Sequence, residues 1–221
     1  VDADALYGAE TPRARDNFPV SGQVMPVDFI RALVLIKSIA AKTNAKLNCL
    51  DKNISDAIVS ASSSLLEDPK LMSHFPLDVF QTGSGTSSNM NANEVIATLA
   101  SEIAGEEVNP NDHVNFGQSS NDVIPTTIHV SAAMSSRRKL IPALETLRDE
   151  IIEKADSVKR YSKTGRTHLM DAMPIRMDQS LLSWADQIDA GISGVDRALT
   201  YVCTLGLGGT AVGTGINTHP E

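Results

Sequence analysis

Aromatic side chains are scarce in this sequence. One Trp, three Tyr and five Phe make up 4% of the residues. A core without rings must be built from Ala, Val, Ile, Leu and Met, which suits helices packed closely on helices. Basic charge is also short: 19 Lys and Arg face 27 Asp and Glu, for a net charge of −8. That balance excludes a broad nucleic-acid footprint. It leaves room for a small anion wherever local donors outweigh the net charge. The two cysteines, Cys49 and Cys203, are far apart and lack metal-ligand spacing. They read as free thiols of a reducing compartment. No apolar run reaches the ~18 residues of a membrane span. No secretory signal is visible, although a chain opening at Val1 rather than Met leaves room for a processed address. These absences point to the cytoplasm, or to the mitochondrial matrix in a eukaryote, with no membrane and no nucleic-acid partner.

What remains is ordinary globular material, 42% hydrophobic and 21% charged, with apolar residues at helical spacing. Residues 1–25, rich in Gly, Pro and charge, read as an irregular arm. Val27, Ile30, Val34 and Ala41 predict a helix from Pro26, and Ile58 and Leu65 predict a second near Ser55. "EDPKLMSHFP" reads as a loop. The polar stretch "QTGSGTSSNMNANE" leads into a third helix, "EVIATLASEIAG". A further polar loop, "EEVNPNDHVNFGQSSND", precedes a long helical region carrying Leu140, Leu144, Leu147, Ile151, Ala155 and Val158. The clearest pattern is Leu181, Ala185, Ile188, Ile192, Val195, Leu199 and Val202, spaced 4, 3, 4, 3, 4 and 3. That is a heptad seam, and a helix from Asp178 to Leu205 would run roughly 40 Å before Gly206, Gly208 and Gly209 end it. No strand-like alternation competes. The fold class is mostly α, with an N-terminal helical domain over 1–117 and the start of a long-helix bundle over 118–221. A bundle of that length usually wants at least four helices.

The polar loops carry more than helix caps need. A cap takes one residue, yet "TGSGTSSNMN" offers five hydroxyls and two amides, with glycines that let backbone N–H groups approach a ligand. "QSSND" precedes Pro125, expected in the first turn of a helix. Helix N-termini favour anions, so two such stations suit two carboxylates. His168, in "GRTHLMDAMP", adds an imidazole able to move protons near neutral pH. A dicarboxylate beside such a group fits addition or elimination next to a carboxylate, with donors gathered where negative charge builds. No metal or other cofactor is implied: Asp112 and His113 are close in sequence but no further ligand set accompanies them.

Four ordered segments, "TGSGTSSNMNANEVIA", "NPNDHVNFGQSSNDVIPT", "GRTHLMDAMP" and "GGTAVGTGINTHPE", resemble class II fumarase (fumarate hydratase) of the fumarase/aspartase superfamily. The resemblance runs from "LYGAETPRARDNF" onward and corresponds to about the first half of such an enzyme. It implies a mostly helical homotetramer with a long-helix core, active sites shared between subunits, and metal-free interconversion of fumarate and L-malate. By resemblance, Ser84, Gly85, Thr86, Ser119, Ser120 and Asn121 contact substrate carboxylates. Thr167 and His168 match the family's threonine and catalytic histidine. The family's catalytic serine, in a mobile loop near a lysine–asparagine pair, has no counterpart in these 221 residues.

The sequence also departs from the pattern. Asn109, Pro110, Asn111 and Asp112 stand where the family usually has His-Pro-Asn-Asp, which forms a secondary dicarboxylate site, so Asn109 is expected to weaken that site. "RMDQS" at 176–180 replaces a common Leu-Gly-Gln-Glu run, and Phe116 and Gly117 are unusual before QSSND. The nearest alternative activity is that of an aspartate ammonia-lyase, which typically carries Gln at the position of His168. A non-catalytic helical relative is the other alternative, against which Ser119, Ser120, Asn121, Thr167 and His168 argue. His74, His129 and His219 read as structural or exposed, His113 stays ambiguous, and Trp184 reads as packing.

Overall fold

The computed structural model describes residues 5–221, so residues 1–4 of the expected arm lie outside the described residues. Among the described residues seven α-helices and one hairpin follow in order: α1 (Glu10–Asn17), α2 (Val27–Lys46), α3 (Lys52–Glu67), α4 (Thr86–Ala104), α5 (Ser120–Ser135), α6 (Ile141–Val158), β1 (Ser162–Thr167), β2 (Met170–Arg176) and α7 (Met177–Val202). The mostly α class expected from the sequence is what is found.

Two compact units divide the chain. The first comprises residues up to Ser131 together with Leu205–Glu221, and the second is Ala132–Thr204. The sequence pattern divides the chain at 117/118 instead. The difference has a physical cause at the start of α5. Val123 and Ile124 are buried in the same core as α2, α3 and α4. The Asp122 carboxylate reaches the 205–221 segment, accepting hydrogen bonds from the backbone N–H of Gly208 at 3.2 Å and of Thr210 at 2.7 Å.

The first unit is built on α2, α3 and α4, whose Ile30, Leu33, Val34, Ile58, Leu65, Val95 and Ile96 are nearly inaccessible. Asp51 caps α3, accepting from the N–H groups of Asn53 and Ile54. The arm is not wholly irregular, since α1 forms within it. The carboxylate of Glu94 on α4 accepts from the N–H of Glu10 at 2.9 Å and of Thr11 at 3.2 Å, satisfying orphan donors at the start of α1. Further along, Asp78 accepts from the N–H groups of Ser21, Gly22 and Phe80, and these bonds hold its carboxyl down to about pKa 2. Distant carboxylates thus organise a segment whose own composition favours no element.

Helix α4 begins at Thr86, well before the apolar run starts at Glu94. Ser88, Asn89, Asn91 and Asn93 are buried in it. Each of the four finds a partner: Ser88 with Gln81, Asn91 with the His74 carbonyl, Asn89 with Asn115 and Asn93 with the Met90 sulfur. Pro125 also sits deeper than expected. It lies inside α5, not in the first turn, where it offers no N–H to the carbonyl four residues before it.

In the second unit α6 and α7 lie antiparallel, as the pairs Arg137–Asp196 and Arg148–Asp189 show. Ile141, Ile192 and Leu199 form the buried centre, flanked by Ala133, Leu144, Ile188 and Val195. Helix α6 therefore covers the α7 seam within the chain. Leu140 and Leu147 of the expected α6 stripe face outward at 45% and 50% exposure, and Trp184 is exposed rather than packed. Helix α7 stops at Val202.

The GRTH segment is a hairpin, where the sequence reading has a loop and no strands. β1 and β2 pair antiparallel with a register shift between Thr164 and Arg166. Gly165 sits at that bulge, and a Cβ there would meet the Met173 carbonyl oxygen at 2.5 Å. The hairpin escaped notice because both strands are solvated, leaving no apolar alternation to read.

Replacing Asp122 with Ala should remove the acceptor for three backbone donors, those of Ser119, Gly208 and Thr210. Stranding buried donors costs about 1–3 kcal/mol each where water cannot replace the acceptor. Urea unfolding should show a loss of that order, with hydrogen exchange accelerated at Gly208 and Thr210. Unchanged exchange at both amides would contradict the assignment.

Candidate active site

Two helix N-termini meet through one glycine. Gly85, the N-cap of α4, has φ 76° and is buried. A Cβ on it would lie 2.8 Å from Cγ2 of Ile124 on α5. Its positive φ and this close approach both require the absence of a side chain. The start of α4 thereby comes against the start of α5.

Across that junction runs a row of hydroxyls. Thr82 Oγ1 lies 3.1 Å from Ser84 Oγ, Ser84 Oγ 3.0 Å from Thr86 Oγ1, and Thr86 Oγ1 3.0 Å from Ser120 Oγ. Thr82 and Ser84 are exposed, while Thr86 and Ser120 are half-buried. Each hydroxyl donates once and accepts twice, so the row can turn its protons toward an anion placed at its open end. The dipoles of the two helix starts add to the same field.

The other expected contacts of α5 serve partly as structure. Ser119 is its N-cap: Ser119 Oγ accepts from the Asn121 N–H at 3.2 Å, and Asp122 Oδ1 accepts from the Ser119 N–H at 3.0 Å. Only the half running from the N3 side chain back to the N-cap N–H follows the capping-box pattern, since the Ser119 hydroxyl takes the N–H of N2. Asn121 Nδ2 donates to the Ala211 carbonyl at 3.0 Å. A cavity of about 240 Å³ beside them is lined by residues including Gly117, Gln118, Ser119, Thr210 and Ala211. Another cavity, of about 800 Å³, lies elsewhere, among Lys42, Lys46, Cys49 and Lys52, and touches none of the expected site residues.

Asn109, Pro110, Asn111 and Asp112 open a short π-turn, Pro110–Val114. Asn109 Oδ1 caps it, accepting from the N–H of Asn111 at 2.8 Å and of Asp112 at 3.0 Å. His113 Nδ1 accepts from the Asn109 N–H at 3.0 Å, which gives that histidine a local structural role. His74 pairs with Asp68 at 3.1 Å.

Thr167 and His168 belong to the second unit. Thr167 ends β1, and His168 with Leu169 forms the hairpin turn, with φ of 51° and 62°. Tight hairpin turns of this hand usually take Asn-Gly. Histidine tolerates the left-handed region better than most residues, whereas leucine does not. Such strain is kept where a function holds it. Both residues are exposed, Leu169 at 98%. The structure thus gathers Ser84, Gly85, Thr86 and Ser120 into one station of the first unit, and sets Thr167 and His168 on an exposed turn of the second.

Beneath the first station is a group the sequence reading passed over. Lys37 on α2 is fully buried. Its Nζ donates to Asn115 Oδ1 at 2.8 Å and Gln118 Oε1 at 2.9 Å. Asn115 Oδ1 also accepts from Asn89 Nδ2 at 3.2 Å. Burial pushes the Lys37 ammonium from its ordinary 10.5 down to about 7, with the Asp122 carboxylate opposing the shift. A signal for it was present, because Lys37 continues the Ile30, Leu33, Val34, Ala41 face of α2. Among the described residues, no three His, Cys, Asp or Glu side chains gather as a metal-binding group. No described helix is long and apolar enough to cross a membrane.

With this geometry in view, likeness to known proteins becomes informative. The Lyase family matches residues 1–221, and the chain belongs to that family. It is 58% identical over 221 residues to fumarate hydratase class II 2 of Pseudomonas aeruginosa, covering all of this chain and 48% of that protein. It is 50% identical over 226 residues to the class II fumarate hydratase of Halobacterium salinarum, again covering 48% of the relative. The crystal structure of class II fumarase from Schistosoma mansoni superposes with a TM-score of 0.95 at 40% identity, over all of this chain and 47% of that one. The resemblance seen in the four motifs is borne out. The chain spans about half the length of the curated relatives it matches.

The buried ammonium carries a pH dependence. Between about pH 7 and 10.5 the unfolded chain keeps the Lys37 proton and the folded one does not, so folding stability rises with pH across that window. The rise approaches about 1.4 kcal/mol per pH unit for one proton. Urea unfolding in steps from pH 7 to 10 should show a steeper rise for the parent than for Lys37→Met. Equal slopes would show that Lys37 does not titrate there.

Proposed function

We propose that this chain forms part of a fumarate hydratase, interconverting fumarate and L-malate by acid/base addition of water. The observation that carries the reading is the hydroxyl row from Ser84 through Thr86 to Ser120, joining two helix N-termini. Neutral donors converging at helix starts suit a carboxylate whose charge grows during reaction. Hydration places a hydroxyl on one alkene carbon and a proton on the other. The carboxylate beside the carbon that gains the proton takes up charge on the way. In this reading Ser84, Gly85, Thr86, Ser119, Ser120 and Asn121 hold the substrate carboxylates. Thr167 and His168 serve the reacting carbons, with His168 handling the water or its proton. No metal takes part. The reading does not extend to a second dicarboxylate station at Asn109–Asp112, because the Asn111 and Asp112 N–H groups already donate to the side-chain Oδ1 of Asn109. Asn109 also lacks the charge that an imidazolium brings.

The same reading makes the assembly a homotetramer with shared sites, placed in the cytoplasm and in the tricarboxylic acid cycle. Exposed Leu147, Ile152, Leu182, Trp184 and Tyr201 on α6 and α7 support association. The unpaired thiols Cys49 and Cys203 are consistent with a reducing compartment.

Assays with fumarate, malate and aspartate on the polypeptide at the full length of its relatives should show hydration and no ammonia release. In that protein His168→Asn should lower turnover by ~10²–10⁴, the range for losing a positioned acid or base, while the fold survives. Turnover within twofold of the parent would remove His168 from the mechanism. Residues 1–221 purified alone should show no hydration and should elute as an oligomer or aggregate. Adding the missing half of the relatives' length should restore both activity and a discrete assembly. A clean monomer of residues 1–221 that hydrates fumarate would refute the shared-site reading.

A further inference from the structure

A lysine without a facing carboxylate in hydrogen-bond contact is an unusual thing to bury, since Lys is almost never fully interior unless paired. Lys37 is 0% exposed and its two bonded acceptors are neutral amides. Those amides are not scattered. Asn115 and Gln118 both lie in the loop that delivers Ser119, Ser120 and Asn121 to the start of α5.

The loop has few ties of its own that would fix its height above α2. Asn115 Nδ2 donates to the Gln118 carbonyl at 3.3 Å, and Gln118 Nε2 donates to the carbonyls of Val114 and Phe116 at 3.1 and 3.3 Å. These bonds close the loop upon itself. The ties to the helices beneath are Lys37 Nζ, Asn89 Nδ2 on Asn115, and Asn44 Nδ2 on the Phe116 carbonyl. Among these donors only Lys37 bonds two loop side chains at once. One of the two, Gln118, immediately precedes the N-cap Ser119.

We propose that Lys37 is a positioning residue for substrate binding, acting through Asn115 and Gln118 to hold the Ser119–Asn121 turn where it meets a carboxylate. It does not touch substrate. It sets the position of Ser120 Oγ against Thr86 Oγ1, which completes the hydroxyl row. The proposal rests on the fumarate hydratase reading for its kinetic test, but the structural part stands without it.

The test is a double-mutant cycle in the full-length protein. Lys37→Met removes the donor and keeps the length of the side chain. Gln118→Leu removes one acceptor and leaves Lys37 in place. Lys37→Met should raise KM for fumarate about tenfold, the effect of one or two lost hydrogen bonds, and change kcat less than about threefold. Gln118→Leu should raise KM by a smaller factor, and the double variant should be no worse than Lys37→Met alone, because the two act as one unit. Lys42→Met, on the same helix, should match the parent. Lys37→Gln, which keeps one donor, should recover part of the loss, and it carries the cycle if the Met variant fails to assemble. A KM within twofold of the parent for Lys37→Met, or additive effects of the two substitutions, would overturn the proposal. Hydrogen exchange at the amides of Asn121 to Val123 in the unliganded protein is read in parallel. Faster exchange in Lys37→Met supports the positioning role even if the parent does not hydrate fumarate, which would sink only the functional reading. Unchanged exchange overturns it.

Discussion

One buried carboxylate organises the start of α5. Asp122 spends Oδ1 on the N–H of Ser119 and Oδ2 on the N–H groups of Gly208 and Thr210, and its charge acts on the ammonium of Lys37. A carboxylate accepting several backbone donors is among the stronger polar arrangements a fold can contain. Here it ties together two pieces far apart in sequence, the helix it begins and the segment after α7. The candidate carboxylate station sits on top of this knot. Its glycine at position 85 and its row of hydroxyls depend on α5 being held where it is.

The division of labour follows from chemistry. Many polar groups are buried in the first unit, and most are paired. Ser88, Asn89, Asn91, Glu94 and Asp122 each answer another segment's backbone or side chain. Satisfied polar networks of this kind specify one arrangement more sharply than apolar packing can. The second unit is simpler. It is two antiparallel helices with an aliphatic seam, joined by a solvated hairpin.

Much of this was legible beforehand, for identifiable reasons. Helices α2, α3 and α7 announce themselves because their buried faces are apolar and periodic. Ser84, Thr86, Ser119 and Ser120 stood out because hydroxyls clustered beyond what capping needs. Other features were hidden because their causes lie far away in the chain. The first two turns of α4 read as loop because their buried side chains are polar, and their partners, Gln81, His74 and Asn115, cannot be inferred from periodicity. Helix α1 forms where Glu94, more than 80 residues on, meets its first N–H groups. The hairpin lacks an apolar face on either side. Lys37 was overlooked although its position on α2 is in phase with the buried residues. A charged letter inside an apolar helix pattern is easily taken for solvent-facing.

The bonds from Asp122 to Gly208 and Thr210 span 86 and 88 residues. During synthesis the part of the first unit up to Ser131 emerges from the ribosome long before that segment exists. The α6–hairpin–α7 unit, whose contacts are local by comparison, is complete before the segment as well. Loop closure across such a separation is a slow step compared with helix formation or hairpin zipping. Until that segment is made, Asp122 Oδ1 can take the Ser119 N–H but Oδ2 has neither of its two backbone donors. Order of assembly is in this way tied to connectivity: the acceptor that fixes the start of α5 gains its last two backbone donors only after the α6–hairpin–α7 unit has been synthesised.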